Sequence, residues 1–224
     1  MAQQRTAFRQ AITISIPAIV CLWAMALVCL CHTAFAAEQP GRDATSRAAN
    51  GFAPLGLQQV KVGGEIGRRI DVTIDNNLMK IDVDKDFLEP FVQKDHSSGF
   101  VGVGMLIDAA AGLAAYSKDP LVIARKEHLI DTLLANQEED GYIGMMKPEA
   151  RIWALWDIHE MAYIIQGLVR DYRLFGNERS LLAARKVANC IIDRWTAEPD
   201  RKPGGGDITV FMAVTGIEPA MLML

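Results

Sequence analysis

Gly167-Leu168-Val169-Arg170-Asp171-Tyr172-Arg173-Leu174-Phe175-Gly176-Asn177-Glu178-Arg179-Ser180-Leu181-Leu182 is the stretch that decides the fold. An apolar-periodic run ends at Gly176, the residue type that closes helices in a left-handed turn, and Asn177 stands where a following helix needs a cap. The spacing predicts a long helix over 153–175 and an amphipathic one over 178–195, with Leu181, Leu182, Val187, Ile191 and Ile192 inward. Pro203-Gly204-Gly205-Gly206 reads as a loop, and 208–224 as the start of another apolar helix.

The same joint occurs about 60 residues earlier, too long a period for a tetratricopeptide unit of about 34. A weakly charged helix is expected over 101–116 and a second over 121–137, separated by Asp119-Pro120, an N-cap followed by proline at the first helical position. On that second helix Leu121, Ile123, Leu129, Ile130, Leu133 and Leu134 share one broad face. Ala124-Arg125-Lys126 recurs as Ala184-Arg185-Lys186, and the connectors at 116–119 and 175–178 occupy matching places. The pattern is that of an all-α protein built from helical hairpins with long loops, the unit of an α/α toroid. A short extended or β segment is expected before it, within 51–98: Ile70, Val72 and Ile74 alternate with Asp71, Thr73 and Asp75 over 69–82.

The chain begins as an export signal. Arg5 and Arg9 precede the apolar run 11–30, and Ala34-Phe35-Ala36-Ala37 supplies the small residues that signal peptidase accepts. Residues 1–37 therefore read as a signal peptide cleaved after Ala36 or Ala37, with an uncleaved membrane anchor as the alternative. Residues 38–50 read as a flexible linker, and the destination is periplasmic or extracellular. Cleavage removes Cys21, Cys29 and Cys31 and leaves Cys190, which sits in an apolar run and reads as a small buried residue. The 23 basic and 27 acidic residues form no basic stripe, so no nucleic-acid partner is expected, and a membrane is a partner only if the leader stays attached.

Candidate chemistry gathers around the loop between the hairpins. Gln137-Glu138-Glu139-Asp140-Gly141-Tyr142-Ile143-Gly144 is followed by Trp153-Ala154-Leu155-Trp156-Asp157-Ile158-His159-Glu160. Aromatic faces stack on sugar rings, while carboxylates and imidazole hydrogen-bond hydroxyls, so Asp140, Tyr142, Trp153, Trp156, Asp157, His159 and Glu160 are candidate carbohydrate-binding residues. Each has a structural alternative: Asp140 as a turn residue, Trp153 and Trp156 as core, Asp157 as a helix-dipole residue, His159 as a hydrogen-bonded core histidine. Asp82-Val83-Asp84-Lys85-Asp86 opens like a calcium loop, but Phe87 stands where glycine is needed and Gln93 where glutamate should bind. Gly102-Val103-Gly104 lacks the strand context of a nucleotide loop. His128 is isolated and no metal-ligand spacing remains after the leader, so no metal site is expected.

The loop and helix motifs just quoted, with Gly167-Leu168-Val169-Arg170-Asp171-Tyr172, Gly176-Asn177 and Leu181, resemble glycoside hydrolase family 127, the β-L-arabinofuranosidase-like proteins. The resemblance runs from about Gly99 to Trp195. It implies that 99–224 is the N-terminal part of an (α/α)6 six-hairpin glycosidase barrel acting on glycans, and that His159 lies in the substrate pocket. In characterised members the nucleophile is a thiolate held by zinc, with further Cys and a Glu as ligands. Those motifs are missing here, so no cofactor is expected in this chain and the catalytic residue is unknown. A second histidine that some members carry one to two turns later is replaced near Gln166. Only about two and a half hairpins precede Leu224, so the expectation is a truncated, inactive form of an exported glycoside hydrolase-like protein. Two other functions fit the same residues: a glycosidase using paired carboxylates, Asp140 with Asp157 or Glu160, and a non-catalytic helical-repeat scaffold binding carbohydrate or protein.

Overall fold

The computed structural model describes residues 54–154, 156–202 and 216–224. The expected leader, the expected 38–50 linker, the 203–206 loop and residues 208–215 of the final apolar stretch lie outside the described residues.

The two hairpins form where the helix-end signals fall, although Asn177 makes no side-chain cap and its amide donates to Asp171 instead. Helix α3 is Val103–Ser117 and α4 is Pro120–Ala135, with Asp119 capping α4 by accepting the Leu121 N–H at 2.8 Å and Pro120 at its first position. Helix α5, Asp157–Phe175, ends at Gly176 in the left-handed conformation, and α6, Glu178–Ala197, follows from Asn177. The short α7, Ile217–Leu222, packs on α5.

The layering is that of an α/α-hairpin toroid. The most extensive helix pairing is α3 with α5, the two inner helices, while α4 and α6 back them on the outside. The inner pair can approach because glycines meet at the crossing. A Cβ on Gly104 would lie 2.2 Å from the Ile164 backbone nitrogen, and one on Gly167 2.6 Å from the Gly104 carbonyl oxygen. Gly102-Val103-Gly104 is thus a helix start and a packing contact. Ile107, Ala110, Ala114, Ile164, Ile165 and Leu168 fill the interface and are fully buried.

Outside the inner pair, a buried ion pair ties three helices. Lys126 Nζ on α4 donates to Asp171 Oδ1 on α5 at 2.7 Å, and Asp171 Oδ2 accepts from Ser180 Oγ of α6 and from Asn177 Nδ2. The recurring Ala-Arg-Lys motif is therefore not equivalent in its two copies: Lys126 is buried, whereas Lys186 is exposed.

Three expectations are corrected. The extended or β segment at 69–82 is helical: α1 is Gly64–Thr73, continuing as a π-turn over Ile74–Leu78. Ile70, Ile74 and Leu78 lie four apart, so the same residues satisfy a helical face, and they pack inward while Val72 stays exposed. A second π-turn, Asp84–Leu88, leads into α2, Glu89–Gln93, so the acidic run at 82–86 forms a helical turn in place of a cation loop. His128, isolated in sequence, meets Asp84 there at 2.6 Å on the surface. The long helix starts at Asp157 and not at 153, because Ile152 and Trp156 take positive φ values. On α6, Leu182 and Ile192 face solvent, and the inward stripe is Leu181, Val187 and Ile191 with Ala183, Ala184 and Ala188.

Candidate functional site

Residues 151–154 and 156 lie immediately before α5, and their geometry decides what the candidate residues can do. Two non-glycine residues among them are left-handed, Ile152 at φ 54° and Trp156 at φ 77°. For a β-branched side chain such as Ile152 this conformation costs on the order of 1–3 kcal/mol and persists only when the surroundings enforce it.

Asp157 supplies part of that enforcement. Its carboxylate is fully buried; Oδ2 accepts the Ile152 N–H at 2.7 Å, and the Tyr142 hydroxyl donates to the two oxygens at 3.1 and 3.3 Å. The Tyr142 oxygen in turn accepts the Met146 N–H at 3.1 Å. Burial pushes the Asp157 carboxyl up to about 6 against the pull of the Ile152 amide and the Tyr142 hydroxyl, and the nearby Glu160 charge adds to the rise. Burial also holds the Tyr142 phenol well above its ordinary value, reinforced by the Asp157 charge.

A second clasp holds the other end. Arg151 makes a two-pronged pair with Glu138, at 2.6 and 2.8 Å, and lies over the Tyr142 ring with its guanidinium 4.4 Å from the centroid. Lys94 Nζ donates to the same Glu138 at 2.9 Å and to the Asn136 carbonyl at 2.7 Å. Bidentate arginine–carboxylate pairs fix orientation as well as distance. Tyr142 folds back under the loop, where a Cβ on Gly144 would lie 2.2 Å from its hydroxyl, which is why glycine stands there.

Above this buried network, at the first turns of α5, His159 is boxed by aromatic rings. Its imidazole meets Phe100 at 5.3 Å, Trp156 at 5.3 Å and Tyr163 at 4.9 Å between centroids, each in an edge-to-face arrangement. Phe100 and Trp156 lie 5.5 Å apart. The His159 Nδ1 is buried and has no hydrogen-bond partner among the described residues. A buried polar nitrogen left unpaired costs about 1–3 kcal/mol, so Nδ1 is a strained feature among the described residues. Phe100 is 40 % exposed, and Trp156 and Tyr163 are half-buried, so the cluster is open at one side.

The seven candidate residues therefore separate into different roles. Trp156 and His159 come together in the aromatic cluster. Asp157 and Tyr142 form the buried network below it. Glu160 is also buried, and its carboxylate caps the start of α3: Oε2 accepts the Val101 and Gly102 N–H groups, each at 2.8 Å, and Oε1 lies 3.4 Å from the Gly104 nitrogen. Asp140 is exposed, accepts the Tyr142 N–H at 3.0 Å and pairs with Arg194. Burial raises its carboxyl, but Arg194 and the Tyr142 amide outweigh that and leave it below the ordinary value. Trp153 stands apart, against Trp195 at 6.3 Å, with the Arg201 guanidinium 4.7 Å above its ring.

This geometry corrects the paired-carboxylate expectation. Asp157 and Glu160 direct their oxygens at backbone and phenol donors inside the protein, and neither forms a facing pair with Asp140 across an open cleft. Cys190 is buried, and burial, with the nearby Asp140 charge, pushes its thiol up to about 11. Such a group is a poor thiolate at neutral pH. Among the described residues no three His, Cys, Asp or Glu side chains converge to hold a metal ion.

Phe100 and Tyr163 belong to the cluster but were not candidates. Tyr163 could have been found, since it lies four residues after His159 on the same helix face. Phe100 comes from the loop before α3, about 60 residues away, and no local spacing marks it.

The model of a protein family described as the GH127 catalytic domain of β-L-arabinofuranosidase matches residues 80–221. Among curated proteins, a non-reducing end β-L-arabinofuranosidase from Bifidobacterium longum subsp. longum is 28% identical over 96 residues. That match covers 38% of this chain and 15% of the relative, so the chain corresponds to a small part of that protein's length. No solved structure matches.

Proposed function

The chain belongs to the family of β-L-arabinofuranosidase GH127 catalytic domains, and on that premise we propose that its α3–α6 hairpins supply a glycan-binding floor in an exported glycoside hydrolase-like protein. The observation that carries the reading is the family match over 80–221, a span that contains the whole Phe100–Trp156–His159–Tyr163 cluster. A pentofuranose presents C–H groups and ring hydroxyls together. Three aromatic side chains around an imidazole, in a cluster open at one side, suit both.

The proposed ligand is a β-L-arabinofuranoside, as the name of the similar bifidobacterial enzyme suggests. The proposed role is binding without bond cleavage. Cys190, the cysteine outside the leader, is buried with a raised thiol, and the carboxylates near the cluster are committed to structural hydrogen bonds. The export reading rests on the leader sequence, and intact-mass analysis of the protein from a secreting host tests it: the mature N-terminus is expected after Ala36 or Ala37.

The binding reading is tested by titration calorimetry of the chain with methyl β-L-arabinofuranoside and with its α-anomer. Binding of the β-anomer, lost in the His159→Ala variant and unaccompanied by sugar release, is the expected result. Release of arabinose by the chain alone overturns the binding-only reading. Absence of binding to either anomer overturns the glycan reading and favours the helical-repeat scaffold.

A further inference from the structure

The aromatic cluster is built on a strained loop. Trp156, which makes two of the cluster's ring contacts, is itself left-handed, and the loop's other left-handed residue, Ile152, lies four positions before it. Neither conformation is one its side chain would choose, so the placement of Trp156 depends on what grips the loop. The gripping groups are Asp157 on α5, Tyr142 from the preceding loop, and Arg151 with Glu138 and Lys94.

We propose that Asp157 is a positioning residue for the glycan site, holding Ile152 and Tyr142 so that Trp156 stands edge-on to His159. The inference rests on the reading of that cluster as a glycan site. Asp157 itself has no route to a ligand, being fully buried with its oxygens directed at Tyr142 and Ile152. Its effect passes through the chain: the Ile152 amide is fixed, Trp156 follows at the helix N-cap, and the Trp156 carbonyl accepts the Glu160 N–H at 2.9 Å. Glu160 in turn caps α3 just after Phe100, the third member of the box. One carboxylate below the site therefore governs the wall contributed by Trp156, and its neighbour Glu160 the wall contributed by Phe100.

The test reads the site without any ligand. Ring currents from Phe100, Trp156 and Tyr163 displace the His159 ring-proton resonances, so those resonances report the box directly. Asp157→Asn keeps an acceptor for the Ile152 amide and is expected to leave them in place. Asp157→Ala is expected to move them toward unstructured values and to weaken β-L-arabinofuranoside binding at least tenfold. Should Asp157→Ala fail to fold, Tyr142→Phe removes one arm of the grip, and a partial shift is expected. Unmoved His159 resonances in a folded Asp157→Ala or Tyr142→Phe protein overturn the positioning role. A moved resonance in the variant, with no glycan bound by the parent chain, upholds the positioning role and overturns the glycan reading instead.

Discussion

The carboxylate of Glu160, on the first turn of α5, caps the start of α3 by accepting the Val101 and Gly102 N–H groups at 2.8 Å each. A side chain one position from His159 thus belongs to the scaffold. The expected consequence is a stability phenotype: Glu160→Ala orphans those amides in a buried setting and should destabilise by about 3 kcal/mol. Glu160→Gln keeps one acceptor and should cost less. Urea unfolding of the two variants checks the order, and equal stability of Glu160→Ala and the parent would remove the cap from the account.

The buried Lys126–Asp171 pair makes a second stability prediction. Lys126→Met leaves the Asp171 carboxylate with only Ser180 and Asn177, and should cost roughly 3–5 kcal/mol. Adding Asp171→Leu to Lys126→Met should recover much of that loss, since an apolar pair needs no compensating charge. A double variant no more stable than Lys126→Met would contradict this, as measured by thermal unfolding.

Close approach of α3 to α5 gives a third. Gly104→Ala or Gly167→Ala drives a methyl into the backbone of the facing helix and should destabilise by about 3 kcal/mol or more. Gly63→Ala, whose Cβ would meet nothing within 4 Å, serves as the control. Denaturant midpoints that fall equally in all three would contradict the crossing geometry.

Asp157 carries the pH dependence. Burial lifts its folded pKa from 3.8 to about 6, so between those values the native protein holds more proton than the unfolded chain. The contribution of this group to stability is therefore largest below pH 4, falls as pH rises toward 6, and is flat above that. The shift corresponds to about 3 kcal/mol. The stability of Asp157→Asn relative to the parent should rise by up to that amount between pH 4 and pH 7, measured by chemical denaturation at each pH. A pH-independent difference would mean that Asp157 titrates like an exposed carboxylate.

The hairpins were legible because their signals are local. Asp119-Pro120 and Gly176-Asn177 mark helix ends by side-chain and backbone geometry alone, and both stand where expected. The segment around Ile70, Ile74 and Leu78 was misread because so short a run satisfies a period of two and a period of four at once. The start of α5 was misplaced because Ile152 and Trp156 adopt conformations that no propensity favours and that only the Asp157 and Glu138 contacts enforce. For the site, Trp156 and His159 could be named from sequence. That Asp157 and Glu160 face inward, and that Phe100 completes the box, follows from helix crossings that local sequence does not encode.

The most direct test of the account is the heteronuclear NMR spectrum of the chain titrated with methyl β-L-arabinofuranoside. The expected result is that the ring signals of His159, Trp156, Phe100 and Tyr163 shift together while the indole signals of Trp153 and Trp195 stay in place. Shifts centred on Trp153 and Trp195, with His159 unmoved, would contradict it.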